Sequence, residues 1–471
     1  MPHCDAKKQG CGGCPLLMTP YPEQLAQKQQ RIDRLMAPFG KPRPILGMED
    51  PWHYRNKAIA TFTRRGGQLA AGIYQEGTHR VVPARECLLV SRQLNQALEA
   101  AVWAAEKCGY QPYQEDRGRG LVRHIQARHA FATGQVLVSL VTAGPFLPGG
   151  REFARLLRQK APFVESVVQN INPGHTSAVL GRQEKLLYGS GRIRDELCGK
   201  SFLLSSRSFY QINPAQTRQL YELARQAADC KEGETVIDAY CGAGTIGLIA
   251  GQGAGKLLGV ELNRDAVADA IRNARYNKAQ NARFYCADAS DWMAEMAARG
   301  EKADLVFMDP PRQGSSPKFL NSLLALAPER VVYISCGPES LARDLGILTR
   351  GGYRVREIWP VDMFPHTEHI ETVCLLSKLN AKQHIEIDLD MDELDLTDAE
   401  KKATYQEIKD YVLEHSGLKV SSLYIAQVKQ KCGIIERENY NKPKSEDARQ
   451  PQCPSEKEAA IMEALKYFQM I

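Results

Sequence analysis

Between residues 235 and 378, seven short apolar runs rich in β-branched residues alternate with helix-forming stretches. That alternation restricts the fold more than any other feature of the chain. Strands are predicted near 235–240, 256–262, 282–287, 303–309, 330–336, 353–359 and 371–378, and helices near 245–251, 264–278, 317–326 and 339–349. Continuous runs such as the one from Val331 to Ser335 suit strands buried on both faces of a parallel sheet. The expected fold class is α/β, with a seven-stranded, doubly wound, Rossmann-like sheet. Ligands of such sheets sit beyond the carboxyl ends of the strands. The first candidates for a site are therefore Asp238 to Thr245, Glu261, Asp309-Pro-Pro-Arg312 and Cys336.

The preceding residues read as α+β. A helix is expected from Tyr21 to Met36, an amphipathic helix over 91–108, a strand pair at 120–128 and 134–141, a helix over 151–160 and a strand at 164–170. Residues 1–230 hold 31 Lys and Arg against 18 Asp and Glu; residues 231–380 hold 17 against 19, and residues 381–471 hold 13 against 18. A basic front half points to a docked polyanion. Within it Trp52-His-Tyr-Arg-Asn-Lys57, followed by Arg64-Arg65, interleaves aromatics with cations, as a single-stranded nucleic-acid surface does. Three regions are expected: 1–204, 205–380 and 381–471. The last holds an acidic linker, Glu386 to Glu400, then helices Thr404–His415 and Ser421–Lys431. These suit a helix-turn-helix-like extension or a three-helix protein-interaction module.

No apolar run approaches the ~20 residues that span a bilayer, and the N-terminus lacks a charged-then-apolar signal pattern. Thirteen cysteines in such a chain suggest a reducing, cytoplasmic setting and ligand, nucleophile or core roles. Cys4, Cys11 and Cys14, with Gly-Gly between the last two, allow several thiolates to converge on one metal or cluster. Cys87 is the best fourth ligand, Cys108 the second. Zinc competes with an iron–sulfur cluster for such a set.

Asp238-Ala-Tyr-Cys-Gly-Ala-Gly-Thr245 is a Gly-rich strand-to-helix turn, where backbone approaches a ligand closely and helix N–H groups are free. Glu261 ends the next strand, where an acid suits a ribose diol, and Asp288 follows the third, beside an adenine edge. An adenosine cofactor is implied, and S-adenosylmethionine fits best. Asp309-Pro-Pro is similar to the active-site loop of amino-group methyltransferases. Cys336 favours a different atom. C5 of a pyrimidine is too weak a nucleophile until a thiolate adds to C6, and a base must then remove the C5 proton. Glu371, at the start of the last strand, is the candidate base.

Together these motifs, with Ser208-Phe-Tyr-Gln-Ile-Asn213, Ser335-Cys-Gly-Pro338 and Asp362-Met-Phe-Pro-His-Thr-Glu-His-Ile-Glu371, resemble the RNA uracil-5-methyltransferases over residues 1–380. The resemblance implies a class I methyltransferase domain, Cys336 as nucleophile and Glu371 as base. It implies cofactor contacts from Gln211, Tyr240, Thr245, Glu261, Asp288 and Asp309. Cys4, Cys11, Cys14 and Cys87 look like the [4Fe-4S] ligands of the branch acting on 23S rRNA, a set that tRNA-modifying relatives lack. Many members of that branch carry a β-barrel RNA-binding domain ahead of the cysteines; with three residues before Cys4, none is expected here. The Cys4–Cys11 spacing is one residue longer than in those relatives. The expected protein is a monomer that acts on RNA and no membrane. The alternatives are a tRNA uracil-5-methyltransferase, an amino-group methyltransferase and a non-catalytic RNA-binding factor.

Overall fold

Two seven-stranded sheets organise residues 1–384, and residues 385–471 form a second unit. The computed structural model describes residues 3–75, 77–174, 178–379, 405–432 and 453–468. The first sheet comprises β1 (Lys57–Arg65), β2 (Gln68–Tyr74), β3 (Val81–Pro83), β4 (Val122–His129), β5 (Val136–Thr142), β6 (Val164–Ile171) and β7 (Gln183–Tyr188), in the order β3-β2-β1-β4-β5-β6-β7. Only β5 and β6 pair in parallel, because α4 (Gly150–Lys160) lies between them in the chain and carries it back. That helix and α3 (Arg92–Lys107) pack Leu94, Ala101, Phe153 and Leu157 onto one face of the sheet. A hairpin of β8 (Ile193–Leu197) and β9 (Lys200–Leu204) follows. At the front are the short α1 (Asp5–Lys8) and α2 (Tyr21–Met36), whose Ile32 and Met36 are buried in the core of the second sheet.

The second sheet holds β10 (Thr235–Ala239), β11 (Lys256–Glu261), β12 (Ala282–Cys286), β13 (Leu305–Met308), β14 (Arg330–Ser335), β15 (Tyr353–Val361) and β16 (Glu371–Lys378), ordered β12-β11-β10-β13-β14-β16-β15. Its helices are α5 (Pro214–Ala228), α6 (Thr245–Ala250), α7 (Arg264–Tyr276), α8 (Ala289–Ala298), α9 (Pro317–Leu326) and α10 (Pro338–Arg350). This is a Rossmann-like methyltransferase sheet with one departure from the all-parallel expectation. β16 inserts between β14 and β15 and runs against both. The physical cause is the link from β15 to β16, which has no helix, so the chain lacks the crossover that a parallel return requires. β16 therefore begins at the rim where β14 ends.

In the second unit α11 (Tyr405–Ser416), α12 (Ser422–Lys431) and α13 (Ser455–Tyr467) enclose Ile408, Val412, Ile425, Val428, Ile461 and Leu465. The third helix, α13, accords with the three-helix alternative, although the sequence pattern marks only the first two. The acidic stretch Glu386 to Glu400 lies outside the described residues. Among those residues no helix is long and apolar enough to cross a membrane.

Candidate active site

Tyr240 takes a left-handed φ of 64°, and Gly242 and Gly244 take 53° and 79°, so the chain turns tightly from β10 into α6. Glu261, at the end of β11, is held against that turn. Its Oε2 accepts from the Gly242 N–H (3.2 Å) and its Oε1 from the Asn263 N–H (2.7 Å). The Thr245 hydroxyl lies 3.0 Å from the Tyr221 hydroxyl, so the protein already engages it. Asp288 caps α8, its Oδ1 accepting from the Ser290 and Asp291 N–H groups at 2.8 and 3.3 Å. Desolvation pushes its carboxyl up, but these bonds hold it below the usual range. Beneath the turn, burial raises Asp238 to about 7. One of its oxygens accepts from the Gly247 N–H at 2.8 Å and the other has no partner.

Gln211 is buried in a segment that the first sheet holds by its carbonyls. Asn56 Nδ2 donates to the Gln211 carbonyl (2.9 Å) and its N–H to that of Ile212 (2.9 Å). Gln126 and Arg128, on β4, donate to the Ser206 and Ser208 carbonyls at 2.7 and 2.5 Å.

At the other side of the rim, Ser335 of β14 pairs with Thr372 of β16. The next residues across that antiparallel ladder are Cys336 and Glu371. Burial first, then the charges of Glu371 and Asp309, push the Cys336 thiol up to about 11, while Arg312 draws it down. Glu371 is 3% exposed. Its carboxyl is held well above the usual range by burial and by Asp309, again opposed by Arg312. Burial raises Asp309 itself to about 7. Cys336, Glu371, Asp309 and Arg312 thus share one electrostatic neighbourhood, in which the guanidinium opposes the rise at both Cys336 and Glu371.

The cysteines of the front segment gather as well. Burial raises Cys14 to about 12, and Cys87, Cys11 and Cys4 each add to the rise. Cys11 is raised by burial and, with a Gly13 hydrogen bond opposing, by Cys87 and Cys4. Cys108 has other neighbours, Tyr110 and Glu152. Among the described residues no group of three or more His, Cys, Asp or Glu side chains is arranged to hold a metal ion. The expected metal site is therefore not shown.

The family model for tRNA (uracil-5-)-methyltransferases matches residues 181–379. An uncharacterized RNA methyltransferase of Halalkalibacterium halodurans is 41% identical over 375 residues, 79% of this chain and 82% of that one. Another, from Bacillus cereus, is 40% identical over 374 residues, 78% and 81% of the two chains. Among solved structures, the Pyrococcus abyssi tRNA (uracil-54, C5)-methyltransferase in complex with S-adenosyl-L-homocysteine is similar with a TM-score of 0.67. It is 28% identical, and the match covers 78% of this chain and 84% of that one. The chain belongs to the RNA uracil-5-methyltransferase family.

In this RNA uracil-5-methyltransferase the aromatic–cationic stretch leading into β1 differs from its expected role. Trp52 stacks on His366 with ring centroids 4.0 Å apart, and Tyr54 is 3% exposed and donates to the Pro365 carbonyl at 3.0 Å. Both rings are spent on the β15–β16 connection instead of standing free for bases. A ring that does stand exposed is Phe209, 63% accessible between buried Ser208 and Tyr210. Its motif is legible in the sequence, but its exposure is not. The sequence likewise assigns no role to Arg312. Gln24, which holds His366, has no signal in the sequence, because its partner lies 342 residues away.

Proposed function

We propose that this methyltransferase makes 5-methyluridine in RNA, with 23S rRNA as substrate, through a covalent bond between Cys336 and C6. The observation that carries the reading is the register of β14 against β16, which puts Cys336 beside Glu371 at the rim shared with Asp309. S-adenosylmethionine, when bound, supplies an electrophilic methyl group. Gln211, Tyr240, Thr245, Glu261, Asp288 and Asp309 would hold it. The pinned carboxylate of Glu261 and the glycine turn fit an adenosine, and the orphaned Asp238 oxygen leaves an acceptor beneath it.

The uridine enters from the front half, flipped out of its stack, and Phe209 offers it a ring face. The Cys336 thiol gives up its proton to solvent, and the thiolate sulfur bonds to C6 as the C5–C6 π bond breaks. The pyrimidine electrons then move to C5, which becomes the nucleophile. Once C5 carries the methyl group, Glu371 takes the C5 proton and the C6–S bond breaks, returning the electron pair to sulfur.

The four cysteines are proposed to hold a [4Fe-4S] cluster. The reading is supported by the nearness of Cys4 and Cys87 to both Cys11 and Cys14. When bound, the group would tie the N-terminal segment to the Cys87 segment ahead of α3. Anaerobically purified protein should contain iron and sulfide with broad visible absorbance; zinc without iron would refute the assignment.

A tRNA substrate is the second reading, favoured by the similarity to the P. abyssi enzyme. Mass mapping of 5-methyluridine in rRNA and tRNA from cells with and without the gene separates the two. For the chemistry, Cys336→Ala should abolish methyl transfer while retaining S-adenosylmethionine binding by calorimetry. Tritium release from 5-labelled uridine by that variant would reject the covalent route.

A further inference from the structure

The edge of the catalytic sheet carries a feature that methyl transfer does not use. β12 ends the second sheet on one side. Beside its start an open pocket of about 600 Å³ is lined by Arg275, at the end of α7, by Lys278 just beyond it, and by Arg283 from β12. Ile271, Ala274 and Phe284 complete it with apolar surface. Arg283 is fixed by bonds from Nη1 to the Gln280 and Ala282 carbonyls, both 2.9 Å. Among the described residues no carboxylate forms an ion pair with any of the three cations.

Cations after a helix carboxyl end are favoured by its dipole, which accounts for Arg275 and Lys278. It does not account for Arg283, which comes from a strand and faces the same pocket. Lys278 also holds a φ of 56°, a position after a helix that favours glycine or asparagine. Converging like charges without a counter-charge repel one another, and an anion relieves that cost.

The β8–β9 hairpin lies beside α7. Asn277 and Asn273 accept from the Ser201 and Leu203 N–H groups, both at 2.9 Å, and so fasten the β8–β9 hairpin to the helix. That hairpin brings Arg194 to Tyr276, which is 46% exposed. In the other direction β12 advances four residue steps from Ala282 to Cys286, which pairs with Glu261 at the rim. At ~3.3 Å per residue the pocket lies roughly 13 Å along the strand from the cofactor end. An RNA held in the active site can therefore reach it.

We propose that the pocket formed by Arg275, Lys278 and Arg283 is an exosite for the phosphate backbone of the substrate RNA, outside the uridine pocket. The proposal rests on the reading that the substrate is RNA. It adds that affinity for a long, folded substrate is partly set at the far end of β12, by contacts that carry no sequence information.

The test uses the full-length protein, Lys278→Glu/Arg283→Glu and the charge-preserving Lys278→Arg/Arg283→Lys. An RNA transcript containing the methylated site and a minimal stem-loop around that site serve as substrates. The charge reversal should weaken binding of the long transcript about tenfold and lower the slope of log K against log salt by about 1.5 to 2. The stem-loop, kcat at saturating RNA and S-adenosylmethionine binding should be unchanged, and the conservative pair should behave as wild type. An unchanged affinity and salt slope with wild-type methylation of C5 would overturn the exosite and leave the reaction intact. Equal weakening of both RNAs would also overturn it. Failure of the wild-type protein to methylate C5 would instead overturn the reaction, and the salt slope would still decide the exosite.

Discussion

Gln24 and His366 lie 342 residues apart and meet through the Gln24 amide: the His366 N–H donates to Gln24 Oε1 at 2.9 Å, and Gln24 Nε2 lies 3.1 Å from His366 Nδ1. The same amide donates to the Leu16 and Thr19 carbonyls at 3.0 and 2.8 Å, and the Leu16 N–H donates to the His366 carbonyl at 3.1 Å. Nearby, Lys28 and Tyr21 of α2 reach Asp362 at 2.5 and 2.8 Å. The connection that delivers Glu371 is thus held from the front of the chain, two residues beyond Cys14. His366 is itself in the left-handed region, φ 65°, a conformation that persists only where its surroundings enforce it.

Gln24→Ala should therefore weaken both the fold and the turnover. It strands buried donors and acceptors, at about 1–3 kcal/mol for each group left unsatisfied. A fall of several degrees in melting temperature is expected, with kcat reduced about tenfold and the KM for S-adenosylmethionine unchanged. Thermal denaturation and steady-state methyl transfer measure both. A variant with wild-type kcat would show that the β15–β16 connection needs no support from α2.

Arg312 should set the pH dependence. Cys336 and Glu371 must both be ionised to act, and both are held upward, so the rate should climb with pH through neutrality. Arg312 opposes that rise at each group. Removing its charge in Arg312→Gln raises both values, so the pH–rate profile should move to higher pH and the rate at pH 7 should fall about tenfold or more. Arg312→Lys should restore most of it. A profile identical in all three proteins would remove Arg312 from the chemistry.

Asp309 should cost stability at neutral pH. Its folded value, about 7, lies above the ordinary unfolded carboxyl near ~3.9. Between those values the unfolded chain is ionised while the folded one binds a proton, so stability falls as pH rises from about 4 to about 7 and then levels. Asp309→Asn escapes this loss. Its melting temperature should match wild type at pH 4 and exceed it at pH 8, by at least the roughly 2–4 °C that 1 kcal/mol is worth in a domain of this size. Methyl transfer should be lost in the same variant. A difference independent of pH would mean that the carboxyl is not raised.

What the sequence discloses follows from how local each signal is. β14 and α9 read directly, because an unbroken apolar run closed by Gly-Pro, and a Ser-Pro start, are local statements. Cys336 and Glu371 could be placed at one rim from strand ends alone. α8 is absent from the expected helices because Asp288 reads as a ligand to adenine, whereas it is also the cap that starts the helix. β7 gave no alternation to read, since its side chains are nearly all exposed at a sheet edge. The reversal of β16 was legible in principle from a connection without a helix. The supports of the site were not, because Gln24, Asn56 and Arg128 act on residues far along the chain.

Phe209 gives the sharpest separation between holding the RNA and doing the chemistry. It stands 63% exposed in the segment that carries Gln211, and the neighbouring carbonyls are fixed by Asn56 and Arg128, so the ring is presented on a rigid mount. An aromatic face that stacks on a base is worth about 1–3 kcal/mol, which converts to roughly 5- to 150-fold in RNA affinity. Phe209→Ala should raise the KM for RNA within that range, leave S-adenosylmethionine binding and the melting temperature unchanged, and be largely rescued by Phe209→Tyr. If Phe209→Ala instead lost cofactor affinity, the ring would belong to the cofactor pocket and the uridine would have to be held by other groups.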